Sequence, residues 1–181
     1  MVVASPVAER LGCALQPVFV AKIRHPLQSE FAIGAVDEDG EVHFSVRDVA
    51  LLSPQVLEGV VESAEFLVER QKRVYGRGPT QYEQADRTVV LIDDGLATGE
   101  SCRAALAFIR SKKPASLILA VPCASVSGVA KVKHFCDRLI TLIPADSDFY
   151  AVGQYYEDFA QVETDEVSRI LNQFRPMREA G

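Results

Sequence analysis

The chain lacks the features that mark several common classes of protein. No apolar run approaches the length needed to cross a bilayer, and the opening M-V-V-A-S-P has no basic start of the kind a secretion signal carries. No G-x-G-x-x-G follows a strand-like run and no G-K-S/T occurs, which removes the dinucleotide-binding and P-loop patterns. The four cysteines, Cys13, Cys102, Cys123 and Cys136, stand far apart without a C-x-x-C pair. That spacing suits reduced thiols of a cytoplasmic protein rather than a zinc site or a disulfide frame. Basic charge is in deficit: 19 Lys and Arg face 25 Asp and Glu, a net charge of −6. A non-specific nucleic-acid binder needs a basic face, so nucleic acid and membrane are both set aside as partners. No internal repeat or low-complexity segment is present.

What is there reads as a globular domain. The 181 residues are 48% hydrophobic and 24% charged, enough to bury one sizeable core, and a single domain spanning 1–181 is expected. Ser5 and Pro6 read as N-cap and first position of a helix that Gly12 stops. Residues 15–21 (L-Q-P-V-F-V-A) form the first convincing strand, and the polar, proline-bearing stretch 22–30 reads as a loop. Residues 31–36 and 41–45 are β-like and joined by Asp37-Glu38-Asp39-Gly40, a hairpin turn. Ser53-Pro54 opens the longest helix, with Leu57, Val60, Val61, Ala64, Leu67 and Val68 on one side and Gly76 and Gly78 after its end. Residues 116–121 and 138–143 are further strands, separated by a helix that Ser125 caps. Thr164 caps a last amphipathic helix running to Phe174, with a frayed tail to Gly181. This alternation predicts a three-layer α/β fold, a mostly parallel sheet with helices on both faces.

The stretch from Thr88 to Arg103, T-V-V-L-I-D-D-G-L-A-T-G-E-S-C-R, organises the rest. A short apolar strand ends in Asp93 and Asp94, at the carboxyl edge where open α/β sheets bind ligands. A loop of small residues follows (Gly95, Ala97, Thr98, Gly99), and then Cys102, Ala105, Leu106 and Ile109 recur at helical spacing. Amides at a helix start point outward unpaired, and the dipole there favours an anion. Thr98 and Ser101 add hydroxyl donors, and two carboxylates can accept from a vicinal diol. A ribose 5-phosphate meets all of these at once. In isolation, I-D-D-G is also what a strand end and turn look like, with acids favouring the next helix.

The full string resembles the phosphoribosyl-pyrophosphate (PRPP) binding motif of the type I phosphoribosyltransferases: four apolar residues, two acids, then G-L-A-T-G-x-S. The likeness extends along most of the chain to a group of predicted bacterial phosphoribosyltransferases. It includes Lys22-Ile23, the E-x-A-I-G-A-V of residues 30–36, Val121-Pro122, and A-V-G-Q-Y-Y-E-D-F at 151–159. The resemblance implies strand order 3-2-1-4-5-6, with strand 3 antiparallel in the flexible-loop hairpin. On that map residues 15–21 are strand 2, 31–36 strand 3 and 89–92 strand 4. It further implies transfer of phosphoribose from PRPP to a nitrogenous base with Mg²⁺ as cofactor, in nucleotide salvage or related metabolism. Asp93 and Asp94 would hold the ribose hydroxyls, and Gly95, Ala97, Thr98, Gly99 and Ser101 the 5-phosphate. Lys22 and Arg24 would close over the pyrophosphate. Tyr150 and Val152 would contact the base, with Glu157 or Asp158 acting on the metal through Mg-PRPP. The acceptor base and the oligomeric state stay open, a homodimer included. One departure is plain: the family's P-R-G-G loop, which contacts the leaving pyrophosphate, and the strand before it have no counterpart in these residues. The motif strand and strand 2 are therefore expected to face each other across an open side. A PRPP- or nucleotide-sensing protein without turnover is the alternative.

Overall fold

The computed structural model describes residues 1–44, 52–76, 85–145 and 147–174, with the side chains of 29 and 30 excepted. Ser45, Gly78 and the tail after Phe174, all named above, lie outside the described residues. In chain order the elements are α1 (Ala4–Leu11), β1 (Ala21–His25), β2 (Gln28–Val36), β3 (Val42–Phe44), α2 (Pro54–Tyr75) and β4 (Thr88–Ile92). There follow α3 (Glu100–Ser111), β5 (Ser116–Val121), α4 (Val126–Val132), β6 (Arg138–Thr141) and α5 (Thr164–Gln173).

The strands make two sheets. β4, β5 and β6 pair in parallel and in that order, while β1, β2 and β3 form an antiparallel meander. Each has its own core. Leu106 and Ile109 of α3 close over Leu117, Leu119 and Val121 of β5. Ala64 and Val68 of α2 close over Ile23, Ile33 and Val36. The helices begin and end where local chemistry dictates. The Ser53 hydroxyl accepts from the Val56 amide with Pro54 as first residue of α2, and Gly12 at φ 62° stops α1. α1 itself starts one residue ahead of Ser5, whose hydroxyl donates to the Val2 carbonyl instead of capping. Thr164 is likewise the first residue of α5, with Glu163 in the cap position.

Two expectations need correction. Residues 13–20 carry no regular structure, and the strand is Ala21–His25, inside the stretch read as a loop. Ala21 and Ile23 are buried while Lys22 and Arg24 are exposed, so the polar residues are the outward half of an alternating strand. Pro26 sits in the tight turn that follows, where its missing N–H costs no ladder bond. The second concerns continuity: where one sheet is expected, no strand among the described residues joins the β1–β3 and β4–β6 sheets, and β4 is an edge on the expected open side. A cleft of about 630 Å³ runs between residues 13–20 and β4, lined by every residue from Thr88 to Asp93. Val89 through Ile92 are accordingly only half-buried, while Leu117 and Leu119 on the neighbouring strand are fully buried.

Polar contacts tie the halves together. The Arg103 guanidinium donates from Nη2 to the carbonyls of His43 (2.9 Å) and Phe44 (3.0 Å) at the end of β3. Lys112 reaches Asp39 in the hairpin turn at 2.6 Å. That turn is organised by Asp37, whose Oδ1 accepts from the Asp39 and Glu41 amides at 3.0 Å while Oδ2 meets His43 Nε2 at 2.8 Å. The acids there are turn chemistry.

Candidate active site

The apolar ladder of β4 stops at Ile92, and the chain leaves it with two acids. Asp93 is half-buried and Asp94 exposed. Asp93 Oδ1 accepts from the Asp94 amide at 3.0 Å, and Oδ2 accepts from the Cys102 thiol at 3.4 Å. Burial, and then the charge of Asp94, push the Asp93 carboxyl above its ordinary range. The Asp94 amide, the Cys102 thiol and the chain's terminal amine pull it back. A carboxylate partly desolvated beside a second acid is poised to accept hydrogen bonds from an incoming polar ligand.

The loop behind the acids is held by its backbone. The Leu96 amide donates to the Cys123 carbonyl (3.0 Å), and the Ser125 amide returns a bond to Leu96 (2.8 Å), extending the parallel pairing past the strand ends. The Ser125 hydroxyl donates to the Ala97 carbonyl (2.6 Å) and accepts from the Gly128 amide (2.8 Å), so one side chain caps α4 and fastens the loop. Contact is tight enough to need glycine on both sides. A Cβ on Gly128 would lie 2.5 Å from the Ala97 carbonyl oxygen, and one on Gly95 would lie 2.7 Å from the Val152 methyls. Gly99 turns the chain into α3 at φ 77°, and no side chain caps that helix. Its first amides are therefore free of helical partners, as the motif requires for an anion. Thr98 is exposed and Ser101 half-buried at this helix start.

Beneath the loop lies a buried acid that sequence reading passed over. Glu100, 3% exposed, pairs with Lys131 of α4 and with Arg103 at 3.4 Å. Arg103 also lies over the Phe135 ring at 6.0 Å. The i,i+3 spacing of Glu100 and Arg103 was the one local signal of this cluster.

The aromatic segment 149–159 docks on the same loop. Residues Val152–Tyr155 form a 3-10 turn, with Val152 against Gly95 and Gly153 against the Phe159 ring. Gln154 Oε1 accepts from the amides of Tyr150 (3.0 Å) and Ala151 (3.2 Å), which shapes the turn. The Tyr156 hydroxyl donates to the Asp94 carbonyl at 2.6 Å. Sequence reading missed Tyr156; the aromatic cluster was visible, but not which hydroxyl faces the acids. Tyr150, expected at the base, is 83% exposed. Glu157 and Asp158 are exposed at the end of the segment, and Asp158 Oδ1 accepts from the Ala160 amide.

Asp93, Asp94, Gly95, Ala97, Thr98, Gly99, Ser101 and Val152 thus meet at one end of β4. Lys22 and Arg24 stand on the outward side of β1, and the charge of Lys22 is felt by the Cys102 thiol under the acids. No cluster of three metal-ligating side chains occurs among the described residues. Exposed single carboxylates suit a cation brought in on a polyphosphate, because Mg²⁺ binds through one or two carboxylates plus substrate phosphates.

A strand ending in paired acids, then a pinned small-residue loop and an uncapped helix, has a counterpart among known families. The phosphoribosyl transferase domain model matches residues 1–160. The chain belongs to the phosphoribosyltransferase domain family. Two Mycobacterium tuberculosis proteins, from strains CDC 1551 and H37Rv, each bear the name "Putative phosphoribosyl transferase" and are 34% identical to it over 190 aligned positions. The alignment covers 99% of this chain and 41% of each relative, so the chain spans less than half of their length. The crystal structure of TT1426 from Thermus thermophilus superposes with a TM-score of 0.74 at 36% identity, covering 97% of this chain and 83% of that one. The phosphoribosyltransferase fold is therefore shared, with its parallel three-strand sheet and small antiparallel sheet.

Proposed function

We propose that this phosphoribosyltransferase-family chain, acting as one domain over residues 1–181, binds PRPP and transfers its phosphoribosyl group to a nitrogenous base. The observation that carries the reading is the end of β4, where paired carboxylates adjoin a loop fixed by Ser125 and an uncapped helix start. In this reading Asp93 and Asp94 accept from the ribose 2- and 3-hydroxyls. The amides of Gly95, Ala97, Thr98 and Gly99, with the Thr98 and Ser101 hydroxyls, take the 5-phosphate. The base lies against Val152 and is stacked by the exposed Tyr150.

A base nitrogen attacks the anomeric carbon as the bond to pyrophosphate breaks, and the bonding pair leaves with pyrophosphate. Positive charge develops on the ribose ring, beside the two carboxylates, whose field favours it. Such chemistry rests on positioning and charge stabilisation more than on a protein nucleophile. Lys22 and Arg24 face the pyrophosphate. Glu157 or Asp158 would hold Mg²⁺ together with PRPP, and the ion would supply charge neutralisation on the leaving group. A cytoplasmic setting is part of this reading, and no helix among the described residues is long and apolar enough to cross a membrane.

The test has two stages. Calorimetry with Mg-PRPP should give binding that falls about ten- to a hundredfold on Asp93→Ala or Asp94→Ala, since each removes charge-assisted hydrogen bonds worth roughly 1.5–3 kcal/mol. A double variant that binds as tightly as the parent would overturn the site. Pyrophosphate release across a panel of nucleobases then identifies the acceptor. Binding without release from any base selects the second reading, a PRPP sensor, which the open cleft beside Asp93 favours.

A further inference from the structure

The reaction outlined above uses carboxylates, hydroxyls and loop amides, and leaves one buried group idle. Cys102 stands in the first turn of α3, 5% exposed, with its sulfur 3.4 Å from Asp93 Oδ2. The opposite oxygen of the same carboxylate, Oδ1, is held by the Asp94 amide at 3.0 Å. Two donors, one from the chain just past the strand and one from the helix beneath, grip the two oxygens and fix the carboxylate plane. A carboxylate has about four lone-pair sites, so these two contacts leave the remaining ones aimed in set directions.

We propose that Cys102 is a positioning residue, whose thiol orients the Asp93 carboxylate for the ribose hydroxyls and favours its charged form. The proposal rests on the PRPP reading for its ligand and on the structure for its geometry. A thiol can do this only while it keeps its proton. Burial, then the charge and hydrogen bond of Asp93, and then Asp94, drive Cys102 well above the ordinary thiol range, with Lys22 of β1 alone opposing. It therefore remains an S–H donor throughout the range in which Asp93 titrates. The titratable groups bearing on Asp93 are Asp94 beside it, the neutral Cys102 thiol below it, the Tyr156 phenol of the docked aromatic segment and the terminal amine of Met1. Of these, only the thiol and the Asp94 amide touch its oxygens through a hydrogen bond among the described residues.

The experiment follows the Asp93 carboxyl by ¹³C NMR titration in the free protein, for the parent, Cys102→Ala and Cys102→Ser. Mg-PRPP affinity is measured against pH on the same three. Losing the donor should move the Asp93 midpoint upward by about half a pH unit in Cys102→Ala, and serine, the stronger donor, should lower it below that of the parent. The acid limb of PRPP affinity should move with it, with a further loss of about threefold on the alkaline side of all the measured midpoints, where only the aim of the carboxylate differs. A general packing defect would weaken binding at all pH values without moving the midpoint. An Asp93 midpoint that is the same in all three proteins overturns the proposal, as does a shifted midpoint that PRPP affinity ignores. If Cys102→Ala does not fold, the serine variant decides alone, because its stronger donor must lower the midpoint. Should the parent fail to bind PRPP at any pH, the PRPP reading falls, and the titration still reports whether the thiol governs the carboxylate.

Discussion

The two halves of the molecule hold themselves together by different means. The parallel half, β4 to β6 with α3 and α4, is fixed by backbone pairing that runs beyond its strands into the loops, through Leu96, Cys123, Ala124 and Ser125. The antiparallel half, β1 to β3 under α2, is fixed by two hairpin turns, the second organised by the Asp37 side chain, and by a bulged register at Ile23 to His25. The candidate site lies on the parallel half, and the hairpin half offers it only side chains. Geometry that must be kept to a fraction of an ångström sits on the backbone-pinned side. Charge that can move sits on the other.

The largest effect that can break this division is in the cores. Leu119→Ala, at a fully buried site, should cost about 2–5 kcal/mol in denaturant unfolding. If the halves are separable, hydrogen exchange should quicken mainly in β4, β5 and β6. Uniform loss of protection across β1 and β2 as well would show one cooperative unit. Next comes the tie between halves. Arg103→Met keeps the stem but strips two carbonyls of β3 of a donor, for a cost of roughly 1–3 kcal/mol. Amide protection around Val42 to Phe44 should fall, whereas Lys112→Ala at the more exposed Asp39 contact should change stability by less than about 1 kcal/mol.

A functional contrast follows. Lys22→Ala should lower turnover by about tenfold and leave PRPP affinity nearly unchanged, if the hairpin half acts on the leaving group alone. Equal losses in both would make Lys22 part of ground-state binding, and no loss would return it to solvated charge. The smallest effect concerns pH. The raised pKa of Asp93 means that its contribution to stability is present below the usual carboxylate range and is lost as pH rises through the folded value. Asp93→Asn escapes that loss, so it should melt above the parent at pH 7 and lose the advantage toward pH 3. A parent that melts higher at both pH values would refute the sign.

The parallel half was the legible one. A short apolar strand, two acids and a small loop before helical spacing put Asp93 to Ser101 in place, because every signal there is local. Ser53-Pro54 and the turn at Asp37 to Gly40 were readable for the same reason. Residues 15–21 were misread because an apolar run looks like a strand whether or not a partner exists, and the described residues offer it none. Lys22 to His25 was misread in the opposite sense, since a strand with one wet face is hidden by its own charges. Glu100, Arg103 and Lys131 gave only the i,i+3 spacing of the first two as a signal, because Glu100 is buried through the arrival of α4 and Arg103 is engaged by β3. The Tyr156 contact with Asp94 joins residues 62 apart, which no periodicity reports.

The open side of β4 also governs how the protein behaves in a test tube. T-V-V-L-I carries β-branched and apolar side chains, and the amides and carbonyls on one side of it have no ladder partner among the described residues. An edge of this composition is a template on which a second molecule can add a strand, so self-association should grow with concentration. The net charge of −6 supplies the repulsion that opposes it at neutral pH. That repulsion vanishes near the isoelectric point of about 5.1, where light scattering should rise first and solubility be lowest. A buffer about two units above that point, at moderate ionic strength, keeps the edges apart by charge alone.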